Sequence, residues 1–296
     1  MTYSTYKPSA GTSYRVFDWR KRRSWLACMR HYAGHLLTSE LRLQLEQERP
    51  KCRSDNLTWL PDSEYFLTDF EECLTNYYTH FKGFHGCRPS SLGSYYDKGL
   101  LGQNSQLLND SFREIFSDAP KQDVENAIEE FTERSQSERG TMWLVGCDNF
   151  LITHCGHYLI QGSEYLMALA THLGYSTRGE DYRFRLREYG VPTVLEVDIP
   201  GSLVPKPQTF SLAKLILSEW GQVASRRPLN FDNDPPCFVV RNDIPAECLR
   251  DHYHPPRIID PHRGHISYLN SQLICELCNP EHVLRRTFLE MSQDNV

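Results

Sequence analysis

Apolar residues recur at helical spacing along most of the chain, broken by a few short stretches that alternate or run apolar. From about Trp19 to Glu48, Trp25, Met29, Tyr32, Leu36 and Leu37 fall near one face of a helix, the period of a stripe packed on a core. Pro50 stops that element, since proline has no N–H to donate. Pro61-Asp62 opens a second helix with Asp62 or Ser63 as N-cap and Phe66, Phe70, Leu74 and Tyr77 as its stripe. Phe81–Arg88 predicts a strand and Leu92–Leu100 a short helix closed by Gly99. Two further helices, Ser111–Phe116 and Lys121–Ser135, are parted by Pro120.

In the second half, Thr141–Cys147 and His157–Ile160 predict strands, with a turn at Asp148-Asn149 between them. Gly162-Ser163 then caps a helix, Glu164–Leu173, that ends at Gly174. Thr193–Ile199 is the clearest strand, alternating with period two between Pro192 and Pro200. Ser211 is expected to cap a helix reaching Val223, Cys237–Arg241 to form a strand, 244–247 a turn or short helix, and Glu281–Met291 a final helix. Short strands scattered among helices, without a regular βαβ succession, predict an α+β fold with a helical N-terminal cap. The expected division is an arm and cap over 1–79, a core over 80–260, and a tail with a helix over 261–296.

Composition changes this picture little. Hydrophobic residues at 40% and charged residues at 24% exclude a disordered chain. A formal net charge of -6 argues against a surface that binds nucleic acid all over, and leaves room for a local basic groove. No apolar run approaches the roughly 18 residues of a membrane span, so no membrane partner is expected. The polar stretch Met1–Tyr14 lacks the order of a signal peptide, and the ten cysteines form no dense framework. Both predict a cytoplasmic protein with reduced thiols.

Candidate chemistry centres on the strand 81–88. Alternation puts His85 and Cys87 on one face and Gly86 on the other, with Arg88 at the strand end offering a forked guanidinium. Each also has a structural reading: His85 as a satisfied core histidine, Arg88 as an ion-pair partner, Tyr158 and Tyr165 as core aromatics, Cys87 as a buried thiol. Cys275-x-x-Cys278, with His282 after it and His262 and His265 before it, is half of a zinc pattern. No second matched pair is read, so these count as ordinary thiols and no metal is assigned.

Phe84-His85-Gly86-Cys87-Arg88 followed by Tyr95–Leu101 resembles the early strand and short helix of the mono-ADP-ribosyltransferases, and Tyr158-Leu159-Ile160-Gln161-Gly162-Ser163-Glu164-Tyr165 is similar to their second strand and helix. Val194–Pro200 and Phe238–Leu249 resemble the closing strands. The resemblance implies two small packed β-sheets forming a nucleotide cleft for NAD. His85 is implied to bind the adenosine-side ribose or the backbone, and Gly86 to admit close approach. Arg88 is implied to hold the diphosphate, and Tyr158 or Tyr165 to stack on nicotinamide, with Ser163 as the motif's small polar residue. The catalytic set is then His85, Tyr158 and a carboxylate. No Glu stands at Pro235–Phe238, where the family carries one, so the candidates are Glu219, then Asp234 and Glu180. The implied function is ADP-ribosyl transfer to a protein or nucleic acid, as a toxin or antiphage effector with a neutralising antitoxin partner. A non-catalytic nucleotide- or protein-binding module on the same scaffold is the alternative.

Overall fold

The computed structural model describes residues 14–138, 140–177, 181–228, 234–275 and 277–278. Its elements in order are β1 (Val16–Phe17), α1 (Arg22–Ala33), α2 (Ser39–Glu48), α3 (Ser63–Tyr77), β2 (His80–Cys87), α4 (Gly93–Lys98), α5 (Ser105–Ile115) and α6 (Lys121–Glu138). They continue with β3 (Met142–Val145), α7 (Asp148–His154), α8 (His157–Ile160), α9 (Glu164–Thr177), β4 (Thr193–Pro200), α10 (Lys206–Ala224), β5 (Cys237–Val240), β6 (Leu249–Tyr253), β7 (Arg257–Asp260) and β8 (Ile266–Leu269). The fold is α+β. The helix expected over 281–291 lies outside the described residues.

Several expectations are corrected by local chemistry. The single helix of 19–48 is two, because the extended Thr38 restarts the chain as an N-cap whose side chain accepts from the Leu41 amide at 3.2 Å. His157–Ile160 is a turn of helix rather than a strand: the Leu159 and Ile160 amides both return to the Gly156 carbonyl, at 3.0 and 2.9 Å. A four-residue apolar run carries too little periodicity to separate the two. The expected turn at Asp148 begins α7, and α9 runs on through Gly174 to Thr177. The last long helix starts at Lys206, with Pro207 in its first turn, so Ser211 is an interior residue whose hydroxyl donates to the Pro207 carbonyl. Gly99 does close α4, at φ 81°, where an added Cβ would stand 2.0 Å from the Ile244 carbonyl oxygen.

Six strands form one sheet in the order β5-β3-β2-β4-β6, with β1 parallel to β2. β4 and β6 are antiparallel, Val194 facing Tyr253 and Glu196 facing Asp251. β7 and β8 form a separate antiparallel hairpin. One large sheet and a hairpin therefore replace the expected two small sheets. The chain also divides differently from 1–79, 80–260 and 261–296. One compact unit holds the described residues up to Gly83, Trp143–Cys147 and Asp198–Arg241; the other holds Phe84–Met142, Asp148–Val197 and the described residues from Asn242.

The first unit packs α3 against α10 around Phe70, Leu74, Ile216 and Leu217, with Trp19 stacked on Trp25 at 5.6 Å. Its interior keeps two ion pairs, Lys82–Asp198 at 2.5 Å and Arg22–Glu219 at 3.3 Å. In the second unit α6 and α9 pack face to face, and Phe112, Phe116, Ile128, Leu169 and Leu173 fill the space between them and α5. Among the described residues no helix is long and apolar enough to cross a membrane.

Candidate functional site

The second unit carries the far half of β2. An added Cβ on Gly86 would meet the Leu151 side chain at 3.2 Å and the Tyr158 Cβ at 3.3 Å. The missing side chain thus admits α7 and α8 rather than a ligand. Alternation then sends His85 and Cys87 to the opposite face of β2, so His85 and Tyr158 do not line one cleft from the same face. Cys87 is buried with its Sγ 3.6 Å from the Thr193 carbonyl oxygen. Burial pushes its thiol up to about 12, which removes the thiolate a nucleophile needs.

Arg88 spends its guanidinium on the backbone. Nε donates to the Tyr189 carbonyl at 3.0 Å, one terminal nitrogen to Leu159 at 3.4 Å and the other to the Arg187 carbonyl. That arrangement ties three chain segments together and takes up the donors expected to meet a diphosphate. Arg88→Ala strips three carbonyls of a charged donor and is expected to cost about 3–5 kcal/mol of stability, with Arg88→Lys recovering little of the fork. Urea unfolding measures it. An unchanged midpoint would return Arg88 to the role of a ligand-binding side chain.

Tyr165 is likewise a core residue. Its ring packs edge-on against Phe131 at 5.6 Å and its hydroxyl donates to Asn109 Oδ1 at 2.8 Å, so it cannot stack on nicotinamide. Ser163 caps α9, accepting from the Leu166 amide at 3.2 Å. Glu219 belongs to the first unit, fully buried against Arg22. Asp234 is exposed, Glu196 pairs across the sheet with Asp251, and Glu180 lies outside the described residues.

A different carboxylate stands beside Tyr158. The one-turn helix α8 and the left-handed Gly162, at φ 83°, fold the chain back so that Glu164 meets residues six and seven positions earlier. Tyr158 donates its hydroxyl to Glu164 Oε1 at 2.8 Å, and the same oxygen lies 3.3 Å from His157 Nε2. The His262 ring sits 4.7 Å from that of His157. The hydrogen bond from His157, then that from Tyr158, holds the Glu164 carboxyl below its ordinary value of 4.5. Burial, then the neighbouring His157, lowers His262. The group is half open to solvent, with the Glu164 side chain 58% exposed. The charge of Arg183, itself paired with Asp181 at 2.8 Å, reaches His262, and the exposed Arg263 follows His262 in the chain. Sequence reasoning missed Glu164 because a strand at 157–160 would have pointed Tyr158 away from it.

A second cluster lies elsewhere in this unit. His252, His254, Cys275 and Cys278 bring one ligand atom each within 4.8 Å of the others. His262 and His265, weighed with the cysteines as half of a zinc pattern, are not in it, and His282 lies outside the described residues. The missed signal is His252-Tyr253-His254, a His-x-His whose period-two spacing sends both rings to one face of an extended chain. Two members, His254 and Cys275, also line a cavity of about 440 Å³ with Pro89, Ser91, Thr193 and Gln272.

Comparison with models of known protein families, with curated proteins and with solved structures returns no match to this chain.

Proposed function

We propose that this chain is an NAD-dependent ADP-ribosyltransferase whose chemistry is carried by Tyr158 and Glu164, acting on a macromolecular acceptor. The observation that carries the reading is the hydrogen bond between Tyr158 and Glu164. The resemblance lacked the family's Glu at Pro235–Phe238, and Glu164 offers an ionised carboxylate, open to solvent, beside Tyr158 instead. Cleavage of the bond between ribose and nicotinamide leaves positive charge on the sugar, and a fixed carboxylate lowers the energy of that state. The electron pair of the broken bond leaves with nicotinamide, and the acceptor's nucleophile bonds to the sugar carbon. Its proton passes to Glu164, the carboxylate that His157 holds at 3.3 Å. The face of the half-buried Tyr158 ring suits the cationic nicotinamide. With Arg88 engaged by backbone and Arg183 forked onto Asp181 at 2.8 Å, the diphosphate falls to the exposed Arg263, next to His262 in the chain.

The uptake of Arg88 favours one second reading, a nucleotide- or protein-binding module without catalysis. Incubating the protein with NAD labelled in the adenylate and with cell extract separates the two. Label moving into protein or nucleic acid, with nicotinamide released, is the expected result. A thermal shift with NAD and no transfer supports the binding module, and neither response sinks both NAD readings. An acceptor identified this way also decides whether a toxin role with an antitoxin partner is worth pursuing.

A further inference from the structure

The cluster at His252, His254, Cys275 and Cys278 has the dimensions of a bound ion. Cys275 Sγ and Cys278 Sγ are 3.8 Å apart, and His252 Nε2 is 3.4 and 3.5 Å from them. A tetrahedral ion with bonds of about 2.3 Å to sulfur and about 2.0–2.1 Å to nitrogen separates its ligand atoms by roughly 3.3–3.8 Å. Two thiols and the His252 imidazole at that spacing, with a ligand atom of His254 within 4.8 Å of all three, match a tetrahedral centre better than a row of neutral hydrogen bonds.

His254 supplies the independent evidence. It is 5% exposed, and its Nδ1 lies 3.0 Å from the Pro192 carbonyl and 3.2 Å from Thr193 Oγ1. The Thr193 hydroxyl already gives its one hydrogen to the Val191 carbonyl at 2.9 Å. Both neighbours of Nδ1 are therefore acceptors, and Nδ1 must carry the proton. Nε2 is left as a bare lone pair, buried, with no hydrogen-bond partner. Leaving a buried acceptor unmet is unfavourable, and the electrophile absent from its hydrogen bonds fits at the centre of the cluster. An N–H to a backbone carbonyl on the far side of the ring is also what orients metal-binding histidines. His252 has the same build: its Nδ1 is 2.6 Å from the Tyr96 hydroxyl, while Nε2 faces both sulfurs.

We propose that His252, His254, Cys275 and Cys278 bind one Zn²⁺ ion. Two sulfur and two nitrogen ligands favour zinc over harder cations. Four protein ligands close the coordination shell, so the ion is structural and has no open position for a substrate. It fastens the segment after β8 to the end of β6, closing a loop that contains the whole β7–β8 hairpin. It also fixes the wall of the 440 Å³ cavity that His254 and Cys275 share with the Pro89–Leu92 turn following β2. The inference stands on these four side chains and is independent of the NAD reading.

The test is metal analysis of the full chain purified under reducing conditions without chelator, with zinc counted per chain by mass spectrometry. One zinc per chain is expected. His254→Ala and Cys275→Ser should each fall below about a tenth of that, since even the groups supporting a ligand shift affinity 10–100-fold. His265→Ala should keep the metal, because His265 is outside the cluster. Wild-type protein stripped and reloaded with Co²⁺ gives a reading that needs no variant: the visible bands of a tetrahedral cobalt centre with thiolate ligands should appear. Protein that carries no zinc and retains none after incubation and gel filtration overturns the proposal. So does a cobalt spectrum without thiolate charge-transfer bands, or equal zinc in wild type and both ligand variants.

Discussion

Glu164→Gln is expected to reduce ADP-ribosyl transfer by about 100–1000-fold, the scale of removing one fixed group that stabilises a charged transition state. The substitution keeps the shape and the hydrogen bond from Tyr158 while deleting the negative charge. With its side chain 58% exposed, Glu164 contributes little to the core, so the unfolding midpoint should not move measurably. The pH profile gives a second check. Hydrogen bonds from His157 and Tyr158 depress the folded-state value below 4.5. Any stability the group lends is therefore present above its unfolded value and lost as pH falls through the lower folded one. Activity that depends on the ionised form should likewise persist to a pH below the usual carboxylate range before its acid limb begins. Tyr158→Phe should act more mildly, since the ring face stays while the donor to Glu164 goes. A fully active Glu164→Gln protein would remove this carboxylate from the reaction, whatever the status of NAD binding.

How far the sequence shows this site depends on what each residue's neighbours reveal. Thr193–Ile199 was readable because alternation and flanking prolines act locally, and β4 forms there as Thr193–Pro200. Ser163 was readable as a cap, since that role is fixed by the first turn of its own helix. Tyr158 beside Glu164 was not, because their meeting depends on a one-turn helix and a left-handed glycine that a four-residue apolar run does not disclose. Arg88 looked like an anion binder by residue type. What engages it are carbonyls 71 to 101 positions away, which leave no mark near it in the sequence. The histidine pair at 252 and 254 was missed for another reason. β6 reads Leu-Arg-Asp-His-Tyr, with too few apolar residues to mark a strand, and only a strand makes His-x-His converge.

Lys82→Met is expected to destabilise the protein by about 3–5 kcal/mol, the cost of leaving a buried charge without its partner. Lys82 Nζ lies 2.5 Å from Asp198 Oδ1, with side chains 9% and 5% exposed, and Asp198 Oδ2 also accepts from the Tyr14 hydroxyl at 2.5 Å. Arg22–Glu219 is the comparison that sets the order. Arg22→Met takes the cation from the fully buried Glu219 carboxylate, whereas Asp198 keeps its hydrogen bond from Tyr14 after Lys82→Met, so Arg22→Met should cost at least as much. Removing both members of the closer pair reverses the argument. In a Lys82→Met/Asp198→Leu protein no charge is stranded, and the attraction lost is roughly matched by desolvation no longer required. The double variant should therefore recover most of the deficit, with Tyr14 losing only one hydrogen bond worth about 1 kcal/mol. Equilibrium urea unfolding of the two singles and the double gives the coupling directly. A Lys82→Met loss below about 1 kcal/mol would show the pair screened like a surface bridge. A double variant as unstable as the sum of the singles would show that the two side chains act independently of each other.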